Sequence, residues 1–144
     1  MNATLVKFGY PASLVCDYRY WCVLLRPAQV TLGALVLGAK GEAHAFSELS
    51  EEAFGELPLA ISDIEKGLKA FRAYDRINYL MLMMVDPHVH FHVLPRYATS
   101  QKFDGVDFPD PGWPAAPDLK PAPKLKDETL SHIRDALQAV WPRI

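Results

Sequence analysis

The spacing of apolar positions divides the chain into segments of different period. Residues 18–27, YRYWCVLLRP, are aromatic and aliphatic and stop at a proline, and residues 31–40, TLGALVLGAK, are almost as apolar. Both predict strands, paired antiparallel, with Gly33 and Gly38 as places for a bulge or the close approach of another part of the chain. The period then changes. Phe54, Leu57, Ile61, Ile64, Leu68 and Phe71 follow one another in steps of three and four, which is one face of an amphipathic helix. Ser50 is the expected N-cap, because its hydroxyl can accept from an orphan N–H of the first turn. Leu49 and Phe54 are placed for a hydrophobic staple, and Glu51 and Glu52 suit the positive end of the helix dipole. Pro58 lies beyond the first turn and predicts a kink there.

Residues 76–85, RINYLMLMMV, form a nearly continuous apolar run, the pattern of a strand covered on both faces. Asp86-Pro87 ends it. Proline cannot supply the positive φ that a two-residue type I′ hairpin needs, so a short irregular connection should lead into HVHFHVLP, residues 88–95, as an antiparallel neighbour. After Tyr97 the composition shifts, with six prolines between 109 and 123. Such a segment, 98–126, should run extended over the surface, with Trp113 pinning it. Residues 127–141, DETLSHIRDALQAVW, close the chain as a helix whose apolar face is Leu130, Ile133, Leu137, Val140 and Trp141, with Asp127 as its cap. No internal repeat is visible. The fold class this predicts is α+β: an antiparallel sheet of about five strands, one long helix and a C-terminal helix, in a single domain spanning 1–144.

Composition narrows the function classes. The chain has 144 residues, half of them hydrophobic, and a net charge of −2 with both signs mixed. That supports a real core and offers neither the basic patch a nucleic-acid polymer would need nor an acidic tail. The N-terminus lacks a basic start followed by an apolar run, and no stretch is long and apolar enough to span a membrane. Two cysteines, Cys16 and Cys22, give no disulfide framework and fit buried thiols in a reducing cytoplasm.

Three of the five histidines stand at 88, 90 and 92. In a strand, side chains alternate between faces, so these three share one face while Val89, Phe91 and Val93 share the other. Same-face neighbours lie about 6.6 Å apart, close enough for two imidazoles to address one small anion. One ring could then attack as a nucleophile while its neighbours hold charge. A metal site is the rival reading, since His-x-His on a strand is a common ligand pair for zinc or iron. Such a site normally needs a further ligand from elsewhere. His44, before the long helix, and His132, on the exposed side of the last one, are candidates by count alone.

HVHFHVL fits the His-φ-His-φ-His-φ-φ signature of the histidine triad (HIT) family, where φ is apolar. The resemblance extends over residues 18–97: WCVLLRPAQVTLGALVL, the helix capped at Ser50, the strand beginning INYL and the LPRY after the triad follow the order of that fold. It implies a nucleotide hydrolase or nucleotidyl transferase acting at the α-phosphorus of a nucleoside monophosphate ester, anhydride or amide. Dinucleoside polyphosphates and nucleoside phosphoramidates are then the expected substrates. By position, His90 resembles the nucleophile, which forms a nucleotidyl-histidine intermediate. His92 resembles the histidine that contacts the phosphate near the leaving-group oxygen, and His88 the one that orients the nucleophile. Arg26, near the end of the first strand, falls where relatives meet the ribose. Asn78 matches an asparagine of the strand before the triad, and Arg96 is placed to meet a phosphate. No metal or other cofactor is expected, and a homodimer is. The chain departs from the pattern in two places: MLMMVDP replaces a glycine-rich loop with polar phosphate-holding side chains, and Gly33 is followed by Ala34 where many relatives carry a histidine. A fold that binds nucleotide with little turnover is therefore the alternative.

Overall fold

Strand pairing begins one segment earlier than the hydrophobic pattern predicts. In the computed structural model, which describes residues 1–143, Leu14–Asp17 form β1, Trp21–Leu25 β2, Leu35–Ala39 β3, Arg76–Leu80 β4 and His90–Arg96 β5. These make one five-stranded antiparallel sheet in the order β1-β2-β3-β5-β4. A second, two-stranded hairpin, β6 (Gln101–Phe103) with β7 (Val106–Phe108), stands inside the segment expected to be extended. The helices are α1 (Ala3–Lys7), α2 (Glu51–Phe71) and α3 (Asp127–Val140). Among the described residues no helix is long and apolar enough to cross a membrane.

The pleat sorts the sheet into two faces. Trp21, Val23, Leu25, Leu35, Leu37, Val89 and Val93 pack with Ile64, Leu68 and Phe71 of α2 and Ile133, Leu137 and Trp141 in the main core. The opposite face presents Cys22, Leu24 and Val36, covered by Leu5 of α1 and by Phe8. His90 and His92 lie on this second face, across from Gly38 and Val36 respectively. Gly38 is needed there, because a Cβ at this position would collide with Leu5 Cδ2. Cys16 and Cys22 are free and buried, and burial pushes the Cys22 thiol up to about 12.

Several local expectations meet a physical correction. Ser50 does cap α2, its Oγ accepting from Ala53 N at 3.1 Å. Helix α2 nevertheless runs unbroken through Pro58. Pro58 and Phe54 are both solvent-exposed, so the carbonyl that loses its partner faces water and the helix tolerates the ring. Phe54 sits on Phe46, ring centroids 5.4 Å apart. The cap of α3 is Lys126, one residue before Asp127, with no side-chain bond. The apolar run 76–85 is not a strand covered on both faces. β4 is an edge strand of partly buried residues that ends at Leu80, paired with His92. Met83 then takes a φ of +48°, and Leu82, Met84 and Val85 are left exposed.

Candidate active site

Strand β5 carries His90 and His92, and His88 stands just before it. Burial of the three is nearly complete, at 7%, 1% and 6% exposure for His88, His90 and His92. The His90 and His92 rings meet edge to face, with centroids 5.1 Å apart. Phe8 lies over both, 5.8 Å from the first and 5.6 Å from the second.

Fixed partners set the proton on each ring. Nδ1 of His90 is 2.7 Å from the backbone carbonyl oxygen of His88. A carbonyl only accepts, so Nδ1 carries the hydrogen and Nε2 keeps its lone pair. His88 Nε2 lies 3.0 Å from Glu42 Oε2 and its Nδ1 2.8 Å from Thr4 Oγ1. The carboxylate fixes a hydrogen on Nε2, and the threonine hydroxyl donates to Nδ1 while accepting from the His88 backbone N–H at 3.3 Å. His92 Nδ1 faces Arg26 Nε at 3.3 Å. A guanidinium has no acceptor, so Nδ1 is the bare nitrogen and Nε2 carries the hydrogen. Burial first, then the positive charge of Arg26 and the neighbouring His90, pulls His92 down from 6.5 to about 4, against a smaller opposite effect of Asp86.

The segment that covers this face was not legible as an element. Asn2 caps α1, accepting from Leu5 N at 3.0 Å, and its side-chain amide donates to the carbonyls of Ala39 and Gly41 at 2.9 and 2.8 Å. Thr4 reaches His88, Leu5 fills the hollow at Gly38, and Lys7 pairs with Asp86 at 2.6 Å. His44 stands edge-on to His88 with centroids 4.6 Å apart. Thr4, Phe8 and Glu42 are therefore the neighbours that sequence reasoning did not assign to the site, while the sequence offers His44 only as a candidate metal ligand by count. Five residues of helix are too few to show a period, and an asparagine at position 2 before a short apolar stretch is the one local signal from which a cap could have been read.

The structure brings His88, His90, His92 and Arg26 together, and it does not bring Asn78 and Arg96 to them. Arg96 forms a buried ion pair with Asp110, Nε to Oδ2 at 2.6 Å and Nη2 to Oδ1 at 3.0 Å, and donates from Nη1 to Asn78 Oδ1 at 2.7 Å. The side chains of this pair are 4% and 1% exposed. The guanidinium is thus neutralised and fully engaged, four residues along β5 from His92, about 13 Å at strand rise. It borders a separate cleft of about 360 Å³ together with Arg76, Asn78 and Trp113. His132 pairs with Asp104 on the surface. Among the described residues no group of three or more His, Cys, Asp or Glu side chains is disposed to hold a metal ion.

Solved histidine triad proteins share this architecture. A histidine triad protein from Sinorhizobium meliloti aligns over 97% of this chain and 95% of its own at a TM-score of 0.75 and 17% identity. One from Marinobacter aquaeolei aligns over 90% of each chain, with a TM-score of 0.71 and 22% identity. A Sulfolobus tokodaii protein described as a hypothetical histidine triad nucleotide-binding protein covers 89% of this chain and 82% of its own, at 0.69 and 17%. At these identities the likeness is one of fold. No family model and no curated protein matches the sequence.

Proposed function

We propose that the chain is a nucleotide hydrolase or nucleotidyl transferase that attacks the α-phosphorus of its substrate from His90 Nε2. The observation that carries this reading is the 2.7 Å hydrogen bond from His90 Nδ1 to the His88 carbonyl. It commits the ring to the tautomer whose Nε2 is nucleophilic, with no base required to remove a proton first. In the first step the Nε2 lone pair forms an N–P bond as the bond from phosphorus to the leaving group breaks. The leaving group departs with that electron pair and takes a proton from water. In the second step water adds to phosphorus, the N–P bond breaks, the pair returns to Nε2, and the water's proton goes to solvent.

His92 serves as a neutral donor in this scheme. With its pKa at about 4, about one ring in a thousand is protonated at pH 7, too few for it to act as the general acid. Its Nε2–H instead stabilises negative charge developing on the phosphoryl and leaving-group oxygens, the kind of fixed donor on which phosphoryl transfer depends. A nucleoside phosphoramidate or a dinucleoside polyphosphate is the substrate class. A panel of both, assayed with the parent and with His90→Ala, tests the reading. Turnover by the parent that His90→Ala abolishes supports it, and equal turnover by the two proteins overturns it.

A second reading, nucleotide binding with little turnover, is favoured by one specific feature. His90 is 1% exposed beneath α1 and Phe8, and the loop before it offers Leu82, Met84 and Val85 to solvent where phosphate donors would be needed. Calorimetric titration with adenosine monophosphate beside the turnover panel separates the two. We also propose a homodimer, supported by the edge strand β4 and the apolar groove that Tyr79 forms with Leu37, Leu57, Ile61 and Phe91. Sedimentation should give twice the chain mass of 16.1 kDa, and a monomer at micromolar concentration counts against it.

A further inference from the structure

Arg26 stands at the start of the loop that joins β2 to β3, and its long side chain reaches over β3 to β5. Its backbone is held at both ends. Arg26 N donates to Ala34 O at 2.9 Å, and the buried Gln29 amide donates to Arg26 O at 2.7 Å and to Ala34 O at 2.9 Å. Gln29 Oε1 in turn accepts from Gly33 N at 2.9 Å, where Gly33 supplies a φ of +92°. The guanidinium is held as well, with Nη1 on Ala28 O at 2.8 Å and Nε on His92 Nδ1 at 3.3 Å. Swinging the fork away from His92 would break both of these contacts at once.

Resting on the nucleotidyl-transfer reading above, we infer that Arg26 is a positioning residue for that reaction: its Nε–H holds the proton of His92 on Nε2, the ring edge away from Arg26, and keeps that ring uncharged. An unrestrained imidazole exchanges between two tautomers, and only one of them presents N–H to a substrate oxygen. A fixed cation on Nδ1 removes the other tautomer and opposes addition of a second proton. The groups that face His92 are few. Arg26 comes from the β2–β3 loop, His90 from its own strand, Asp86 from the segment before β5, and the non-titrating Phe8 from the end of α1. Asp86 alone favours a charged ring, and its carboxylate is paired with Lys7. No group other than Arg26 donates to His92 Nδ1 among the described residues. This role differs from contact with the ribose, because it operates before any substrate arrives.

The test is long-range proton–nitrogen NMR of the imidazoles in ligand-free protein, for the parent, Arg26→Met and Arg26→Lys. The parent should show His92 as the Nε2–H tautomer with no titration above pH 5. Arg26→Met should show a mixture of tautomers and a raised midpoint, and Arg26→Lys should fall between. Where a turned-over substrate is in hand, Arg26→Met should lower kcat at pH 8, where the neutral ring divides between tautomers, and less at pH 6, where a charged ring still presents Nε2–H, with KM little changed. That is a smaller loss than removing an oxyanion donor outright, which costs about 10²–10³. Arg26→Gln carries the same measurement should the methionine variant fail to fold. An unaltered His92 tautomer and midpoint in the folded variant overturns the inference, whatever the turnover. Absence of turnover in the parent, or turnover that survives His90→Ala, counts against the nucleotidyl-transfer reading and leaves the NMR result to decide the role of Arg26.

Discussion

Acid should destabilise this protein through His92 in a window that can be calculated. The ring is 6% exposed and its folded-state pKa is about 4, against an ordinary value of 6.5. Because the folded value is depressed, the unfolded chain binds more protons between these two values, and stability falls as pH falls. The cost begins just below neutrality, grows through pH 6 and 5, and stops growing once pH drops below about 4, where both states are protonated. Linkage puts the part lost between pH 7 and pH 5 at about 2 kcal/mol, and the full cost at about 3 kcal/mol. His92→Gln removes the titrating ring and leaves every other carboxylate and histidine in place. Urea unfolding of parent and variant at pH 7 and pH 5 isolates the effect as a difference of differences. The parent should lose about 2 kcal/mol more than His92→Gln over that interval. Equal losses would refute the reasoning, since they would mean that burial and Arg26 do not hold the ring neutral.

Two further outcomes follow from packing on either side of β5. Asp110→Asn leaves Arg96 as a buried cation with a weakened partner, and it should cost about 3 kcal/mol of stability, the usual result of breaking a buried pair on one side; thermal unfolding indistinguishable from the parent would contradict it. Gly38→Ala places a methyl group against Leu5, so hydrogen exchange over residues 2–8 should rise while exchange in α2 stays as it is. Unchanged exchange in α1 would show that Leu5 yields without moving its helix.

What the sequence made legible was whatever has a strict period. Two-residue alternation put His90 and His92 on one face and Val93 in the core, and the three-four spacing with Ser50 in front marked α2. The architecture followed, an α+β fold with a five-stranded antiparallel sheet. What escaped depends on contacts remote in sequence. Helix α1 has five residues, fewer than two turns, and β1 has four, so neither shows a repeat. The fate of 81–85 was misread because an apolar run has the same composition whether it lies between two layers or past the end of an edge strand. Arg26 and Arg96 are alike in sequence, an arginine near a strand end. Only tertiary structure shows that Asp110, fourteen residues further on, neutralises one, while the other faces a histidine 66 residues away.

The central claim is that His90 becomes covalently bonded to phosphorus. The most direct measurement is rapid quenching at alkaline pH during turnover of a nucleoside phosphoramidate or dinucleoside polyphosphate, followed by intact-mass analysis and peptide mapping. The account predicts a transient adduct of one nucleoside monophosphate per chain, located on His90 and lost in His90→Asn. Steady turnover with no adduct on any histidine, or with the adduct on another residue, would contradict it.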